Sequence, residues 1–169
     1  MSGIGIVDAS PLIVLSRVGR SNLLTRAFDE VWIPESVASE VAAGPEDDPA
    51  RELLATGFGR IVPTITIPNS IVEWGLGSGE SAVLALGHAN SGATLVIDDG
   101  AGRLCAKGLG LPLLGTLGLI VRARRSGWIE SAGAVLGEVR AAGLWLDERV
   151  IGTVLRDLGE APDSQPAPP

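Results

Sequence analysis

Five short runs rich in aliphatic residues punctuate the sequence, and the first and fourth show no alternation between apolar and polar residues. They fall at residues 4–7, 31–33, 61–67, 94–97 and 113–114. A strand with one solvated face shows a period of two. Runs without that period suit a sheet covered on both faces, built from parallel strands joined by helices. Pro63 inside the third run confines that strand to an edge, because it cannot donate to a ladder.

Helical spacing fills the intervals. Ser10 as N-cap and Pro11 as first helical residue open a helix carrying Leu12, Leu15 and Val18, with a break near Gly19 before Leu23, Leu24 and Ala27. Further helices are expected over residues 36–43, 50–56, 80–89, 103–109 and 116–125, with residues 68–79 as loop. Two amphipathic helices over 128–143 and 147–158 follow the last strand. Strand and helix alternate almost throughout, which predicts an α/β fold: a three-layer α/β/α sandwich with a central, mainly parallel sheet of about five strands and right-handed crossovers. One domain over residues 1–160 is expected, with its core in 1–126 and extra C-terminal helices in 127–160. The tail 161–169 holds four prolines and reads as disordered.

Composition narrows the function. The chain is 46% hydrophobic but 4% aromatic, so its core is aliphatic. A net charge of −7 and a pI near 4.7 exclude a broad, non-specific nucleic-acid surface. Arg122, Arg124 and Arg125 form the one dense basic group, read as a solvated helix end. Cys105 is the sole cysteine, which rules out an intrachain disulfide and a cysteine-based zinc site and leaves it as a small core filler. No run is long and apolar enough to span a membrane and no leader pattern stands at the N-terminus, so a cytoplasmic location is expected.

The chemistry-bearing residues are acids. Asp8 closes the first run, and Asp98 and Asp99 close the fourth. In parallel sheets, ligands bind beyond the carboxyl ends of the strands. If these ends are adjacent, the acids can coexist only by sharing a proton or a cation. Glu40 sits beside Val37 and Val41, at the edge of a buried helical stripe, and Glu80 opens a helix after Gly77-Ser78-Gly79. Each has an ordinary reading as a turn, cap or surface residue; their joint placement at one edge favours a site. With no histidine or thiolate beside them, they suit a hard cation such as Mg²⁺ or Mn²⁺. His88 lies two turns beyond Glu80 and points away from it. The glycines at 75, 77 and 79 lack the Gly-Lys-Ser/Thr ending of a phosphate loop. Trp32, Trp74, Trp128 and Trp145 are expected to pack rather than to stack on bases.

Several stretches resemble the PIN-domain superfamily of metal-dependent ribonucleases, which includes the toxins of VapC-type toxin–antitoxin pairs. They are Ile6-Val7-Asp8-Ala9-Ser10-Pro11-Leu12-Ile13, Pro34-Glu35-Ser36-Val37 leading to Glu40-Val41, Gly79-Glu80-Ser81-Ala82-Val83, Val96-Ile97-Asp98-Asp99, Gly110-Leu111-Pro112 and Gly115-Thr116-Leu117-Gly118. They span residues 4–126 and are most similar to an uncharacterised PIN-like branch with the Gly-Glu helix start and the Gly-Thr-Leu-Gly segment. The resemblance implies an Mg²⁺- or Mn²⁺-dependent endoribonuclease with Asp8, Glu40, Glu80, Asp98 and Asp99 as metal-binding and catalytic residues. It also implies Thr116 as a holder of a carboxylate or the scissile phosphate, an RNA substrate, a small antitoxin partner and a homodimer. Two features depart from the toxins: the third acid is Glu80 rather than Asp, and the helix bearing Arg103 follows the acid pair directly. The first motivates an alternative, a catalytically degenerate PIN fold that binds RNA or protein. A phospho-accepting receiver domain is disfavoured, since the acid pair follows the fourth strand and the only lysine is Lys107.

Overall fold

In the computed structural model, which describes residues 3–160, the five runs form one sheet in the order β3-β2-β1-β4-β5. The strands are β1 (Ile4–Val7), β2 (Glu30–Pro34), β3 (Arg60–Val62), β4 (Thr94–Val96) and β5 (Leu113–Leu114). All four pairings are parallel, so the sheet is wholly parallel rather than mainly so. Register places Val7 beside Val96, and the Asp8 N–H continues the ladder to the Val96 carbonyl at 3.0 Å.

Ten helices flank the sheet among the described residues: α1 (Ala9–Arg17), α2 (Asn22–Ala27), α3 (Glu35–Ala43), α4 (Pro49–Ala55), α5 (Asn69–Val72), α6 (Ser78–Ala89), α7 (Gly100–Gly108), α8 (Thr116–Arg125), α9 (Ala132–Ala141) and α10 (Glu148–Asp157). Helix α6 packs on β1, β2 and β4 and against α3, while α8 packs on β5, α2 and α9. The core between these layers is aliphatic, with Ile6, Leu12, Leu15, Ile33, Leu84, Leu95, Ile97 and Leu119 fully buried. Cys105 is buried among them, and burial pushes its thiol pKa up, as suits an inert filler. No helix among the described residues is long and apolar enough to cross a membrane.

Several boundaries differ from expectation, each for a local reason. Helix α1 starts at Ala9 with Asp8, not Ser10, as N-cap, so Pro11 falls inside the first turn, where no intrahelical N–H bond is lost. The third strand ends at Val62 rather than 67, because Pro63 stops the ladder; the edge position holds. Helix α5 interrupts the expected loop and buries Ile71 completely. Helix α6 begins two residues early, which puts Glu80 at its third position rather than its first. Helix α7 runs from Gly100, three residues ahead of the expected start, because Asp99 caps it. Helix α9 is shorter than expected, starting at Ala132 behind the Ser131 cap. The Pro-rich tail at 161–169 lies outside the described residues.

The strand order reverses between β1 and β4. From β1 the chain builds outward to β2 and β3, then returns to lay β4 and β5 on the opposite side. This reversal leaves a crevice beyond the carboxyl ends of β1 and β4, the usual place for a ligand in an open parallel sheet.

Candidate active site

Asp8 leaves β1 directly into that crevice. Its residue surface is 4% exposed, and its side chain makes no capping hydrogen bond to α1. Burial, chiefly, lifts its pKa from 3.8 to about 7; the charges of Glu80, Glu40 and Asp98 add to the rise, and the backbone N–H of Ala9 opposes it. Three acids from three other elements are therefore near enough for Asp8 to feel.

Glu40 comes from α3, whose buried Val37 and Val41 turn it toward α6. The contact closes over Gly79, buried in the first turn of α6. A Cβ there would lie 2.8 Å from Glu40 Oε2, 3.3 Å from Val37 Cγ2 and 3.6 Å from Asp8 Oδ1. Glycine at this position is what allows both carboxylates to reach the start of α6. Glu80, one residue on, accepts the Gly77 N–H at Oε2 (3.1 Å). Gly77 has no side chain to return the bond, so only the glutamate half of a capping box forms.

Asp98 emerges from β4 and is held at both oxygens by Thr116. The Thr116 N–H donates to Oδ1 (2.7 Å) and its hydroxyl to Oδ2 (2.6 Å). Thr116 is fully buried. Its hydroxyl thus positions a carboxylate, one of the two roles expected of it, and Asp98 in turn caps α8. Arg103 does not neutralise the acid pair by a hydrogen bond: Nη1 donates to the Ile97 carbonyl (2.9 Å). Asp99 caps α7, with Oδ2 accepting from Ala101 N (2.7 Å) and Gly102 N (3.0 Å), while its residue also lines the crevice.

The crevice has a volume of about 550 Å³ and is walled by Asp8, Glu40, Glu80, Asp98 and Asp99. All five acids singled out in the sequence are thus brought together; Thr116 stands behind Asp98 rather than in the wall. The far wall was not foreseen. It is the segment Gly143-Leu144-Trp145-Leu146 between α9 and α10, and Trp145 is 82% exposed. The expectation that the tryptophans pack fails there and at Trp74, which is 44% exposed. Trp32 and Trp128 are half-buried under Arg60 and Arg26, with each guanidinium within 6 Å of the ring. His88 is on the surface, away from the acids.

The sequence matches the PIN-domain family model DUF3368 over residues 4–160. The chain belongs to the PIN-domain family. No curated protein matches it. PIN domains are generally nucleases and generally use divalent metals, so the crevice can be weighed against that use. The PIN-domain match runs through α9 and α10, which makes the Trp145 wall part of the family's fold rather than an addition to it.

The PIN site's donor set is all carboxylate, the chemistry a hard cation prefers. Among the described residues, no three acid, histidine or cysteine side chains are drawn tightly enough to grip an ion directly. Mg²⁺ dehydrates reluctantly and is commonly held by one or two carboxylates plus water, so a wider ring of acids fits a hydrated ion. The buried, charge-opposed Asp8 carboxyl is the group such an ion would relieve most.

Proposed function

We propose that this PIN domain is an Mg²⁺- or Mn²⁺-dependent endoribonuclease and the toxin of a toxin–antitoxin pair. The observation that carries the reading is Asp8: a buried carboxyl with a pKa near 7, facing three other acids at the switch point of a PIN fold. In this reading Asp8 and Asp98 contact the metal. Glu40 and Glu80 reach it directly or through water, and Asp99 holds α7 at the rim. Thr116 fixes the Asp98 rotamer. The cation, when bound, polarises the phosphodiester and lowers the pKa of a coordinated water. Glu40 or Glu80 would accept the proton of the attacking water, and Asp8 would serve as a ligand in its ionised form. An unstructured RNA is the substrate. The protein works in the cytoplasm as a homodimer, restrained by a small antitoxin protein.

The test is RNA cleavage by purified protein in Mn²⁺, with and without chelator, for the parent and Asp8→Asn. Cleavage that needs metal and is lost in the variant supports the reading; equal cleavage by both refutes it. One observation favours a second reading, a degenerate site that binds RNA or protein. The Asp98, Asp99 and Glu80 carboxylates each already accept hydrogen bonds from backbone N–H groups. Calorimetry separates the two, since a degenerate site gives no specific heat on Mn²⁺ titration.

A further inference from the structure

Trp145 is an exposed aromatic that its own neighbours hold outward. Helix α9 ends at Ala141; Gly143, just beyond its cap, turns the chain back with a φ of +110°, and the Leu144 N–H bonds the Val139 carbonyl at 3.0 Å. Leu144 is buried and Leu146 packs on the core, so both side chains point inward. Asp147 then caps α10 through Arg149 N (2.8 Å) and Val150 N (3.3 Å). With both flanks anchored, the side chain between them is the one left in solvent. Its indole surface is large and apolar, and leaving it in water is unfavourable unless something covers it.

Its position says what that something is. Trp145 forms part of the wall of the acid crevice and also of a second hollow of about 730 Å³, which carries Arg140 and Arg149 together with the acids Asp147 and Glu148. Arg140 is paired with Glu148. The Arg149 guanidinium makes no hydrogen bond or ion pair among the described residues. With Glu148 paired to Arg140 and Asp147 occupied as the α10 cap, Trp145, shared by both hollows, lies between the crevice carboxylates and the uncommitted Arg149 cation. A nucleic-acid strand offers the complementary order: a phosphate beside the acid site, a base with a π-face, and a following phosphate. Apolar peptide would satisfy the indole but would leave Arg149 unanswered.

We propose that Trp145 stacks an unpaired nucleobase of single-stranded RNA beside the acid crevice, with Arg149 taking an adjacent phosphate. The inference rests on the ribonuclease reading and adds to it a residue that contacts the substrate, since an unpaired base offers the free face a stacking indole needs. Base stacking on an aromatic is sequence-tolerant, so this platform selects unpaired over paired RNA rather than one base over another.

The test is fluorescence anisotropy in Mn²⁺ with a labelled single-stranded RNA oligonucleotide, free or annealed to its complement. The proteins are Asp8→Asn, which is used to block turnover, and the same protein carrying Trp145→Ala or Trp145→Phe. At its exposed position Trp145 can be truncated without touching the core. The expected result is a loss of affinity on the order of 10- to 100-fold for Trp145→Ala. Trp145→Phe should recover most of it, and the duplex should be insensitive to both. Arg149→Gln should weaken binding further and flatten its salt dependence. Equal affinity of the Trp and Ala proteins overturns the proposal, as does failure of the Trp protein to bind single-stranded RNA. So does a change in sedimentation on Trp145→Ala with RNA affinity unchanged, which would assign the indole to a contact between copies. A wild-type protein that binds RNA through Trp145 yet cuts none would overturn the nuclease reading and leave the stacking platform standing. Metal-dependent cleavage with Trp145 dispensable would do the reverse.

Discussion

Replacing Asp8 with Asn removes a charge that the fold disfavours, so the metal-free variant should be more stable than the parent at neutral and alkaline pH. The sign follows from linkage. A carboxyl whose pKa rises from 3.8 in the unfolded chain to about 7 in the folded one binds more protons when folded. Stability therefore falls as pH climbs between those two values and levels off above the higher one. At about 1.4 kcal/mol per pKa unit, the whole rise amounts to roughly 4 kcal/mol, an upper figure because Asn cannot accept the Ala9 N–H as strongly as a carboxylate. At about 2–4 °C per kcal/mol for a chain of this size, melting in chelator at pH 8 should rise by about 5–15 °C for Asp8→Asn. At pH 4 the two curves should meet. Thermal melts followed by circular dichroism across that pH range, in EDTA, measure it directly. A variant less stable than the parent at pH 8, or a gap that ignores pH, would refute the reasoning. Addition of Mn²⁺ should invert the order, because a ligand that binds only the folded parent raises its melting point alone.

Gly79→Ala places a Cβ 2.8 Å from Glu40 Oε2, so the flexible end of Glu40 must swing out of the crevice. Helix propensity gains up to about 1 kcal/mol in return. Melting should change little while Mn²⁺ affinity, read by calorimetry, drops. Thr116→Val keeps the shape but removes the hydroxyl that donates to Asp98 Oδ2; a cost of about 1–3 kcal/mol in urea denaturation is expected, since that oxygen loses its partner. Glu160 accepts from Arg124, Ser131, Ala132 and Gly133; burial raises its pKa, but these bonds outweigh it and hold the group down from 4.5 to about 2. Its contribution is full above pH 4.5 and fades as pH falls toward 2. Glu160→Gln should therefore cost up to about 3 kcal/mol at pH 7 and much less at pH 2.5, measured by denaturation at both.

The fold was legible because burial on both faces leaves a strong mark: Ile4–Val7 and Thr94–Val96 hold no polar period, and the residues between them keep helical spacing. Ends were less legible where a cap replaces a pattern. Helix α7 opens on Gly100-Ala101-Gly102, which has no apolar stripe, and only the Asp99 carboxylate on two N–H groups makes it a helix start. Asp8, Glu80, Asp98 and Asp99 could be named because each ends a strand or begins a helix at one edge, and Glu40 because it borders the buried stripe of Val37 and Val41. Trp145 could not, since a lone tryptophan between two leucines reads as core until the flanking anchors are known. The signal was present in Gly143 and Asp147, a helix stop and a helix cap four residues apart that leave room for a fixed, outward side chain.

Why the crevice tolerates so much negative charge is answered by the helices that start there. Asp8 stands at the head of α1, Gly77 and Glu80 at that of α6, Asp99 at that of α7, and Asp98 with Thr116 at that of α8. Each helix start carries partial positive charge and unpaired N–H groups, which stabilise a nearby carboxylate by about 0.3–1 kcal/mol apiece. Glu80, Asp98 and Asp99 each take hydrogen bonds from such groups with their side chains. Asp8 has only the adjacent Ala9 N–H, which its burial outweighs, and is the most deeply buried of the set. The fold thus supplies N–H donors to Glu80, Asp98 and Asp99 but too little to offset the burial of Asp8, which is left to take up a proton or a cation. That asymmetry separates a structural cluster of caps from a binding site. It also makes a specific demand: Mn²⁺ binding at pH 6 should release about one proton, since a carboxyl with a pKa near 7 must ionise to become a ligand. Calorimetric titrations in two buffers of different ionisation enthalpy count that proton. If the count is zero at pH 6, the ion is not displacing a proton from Asp8.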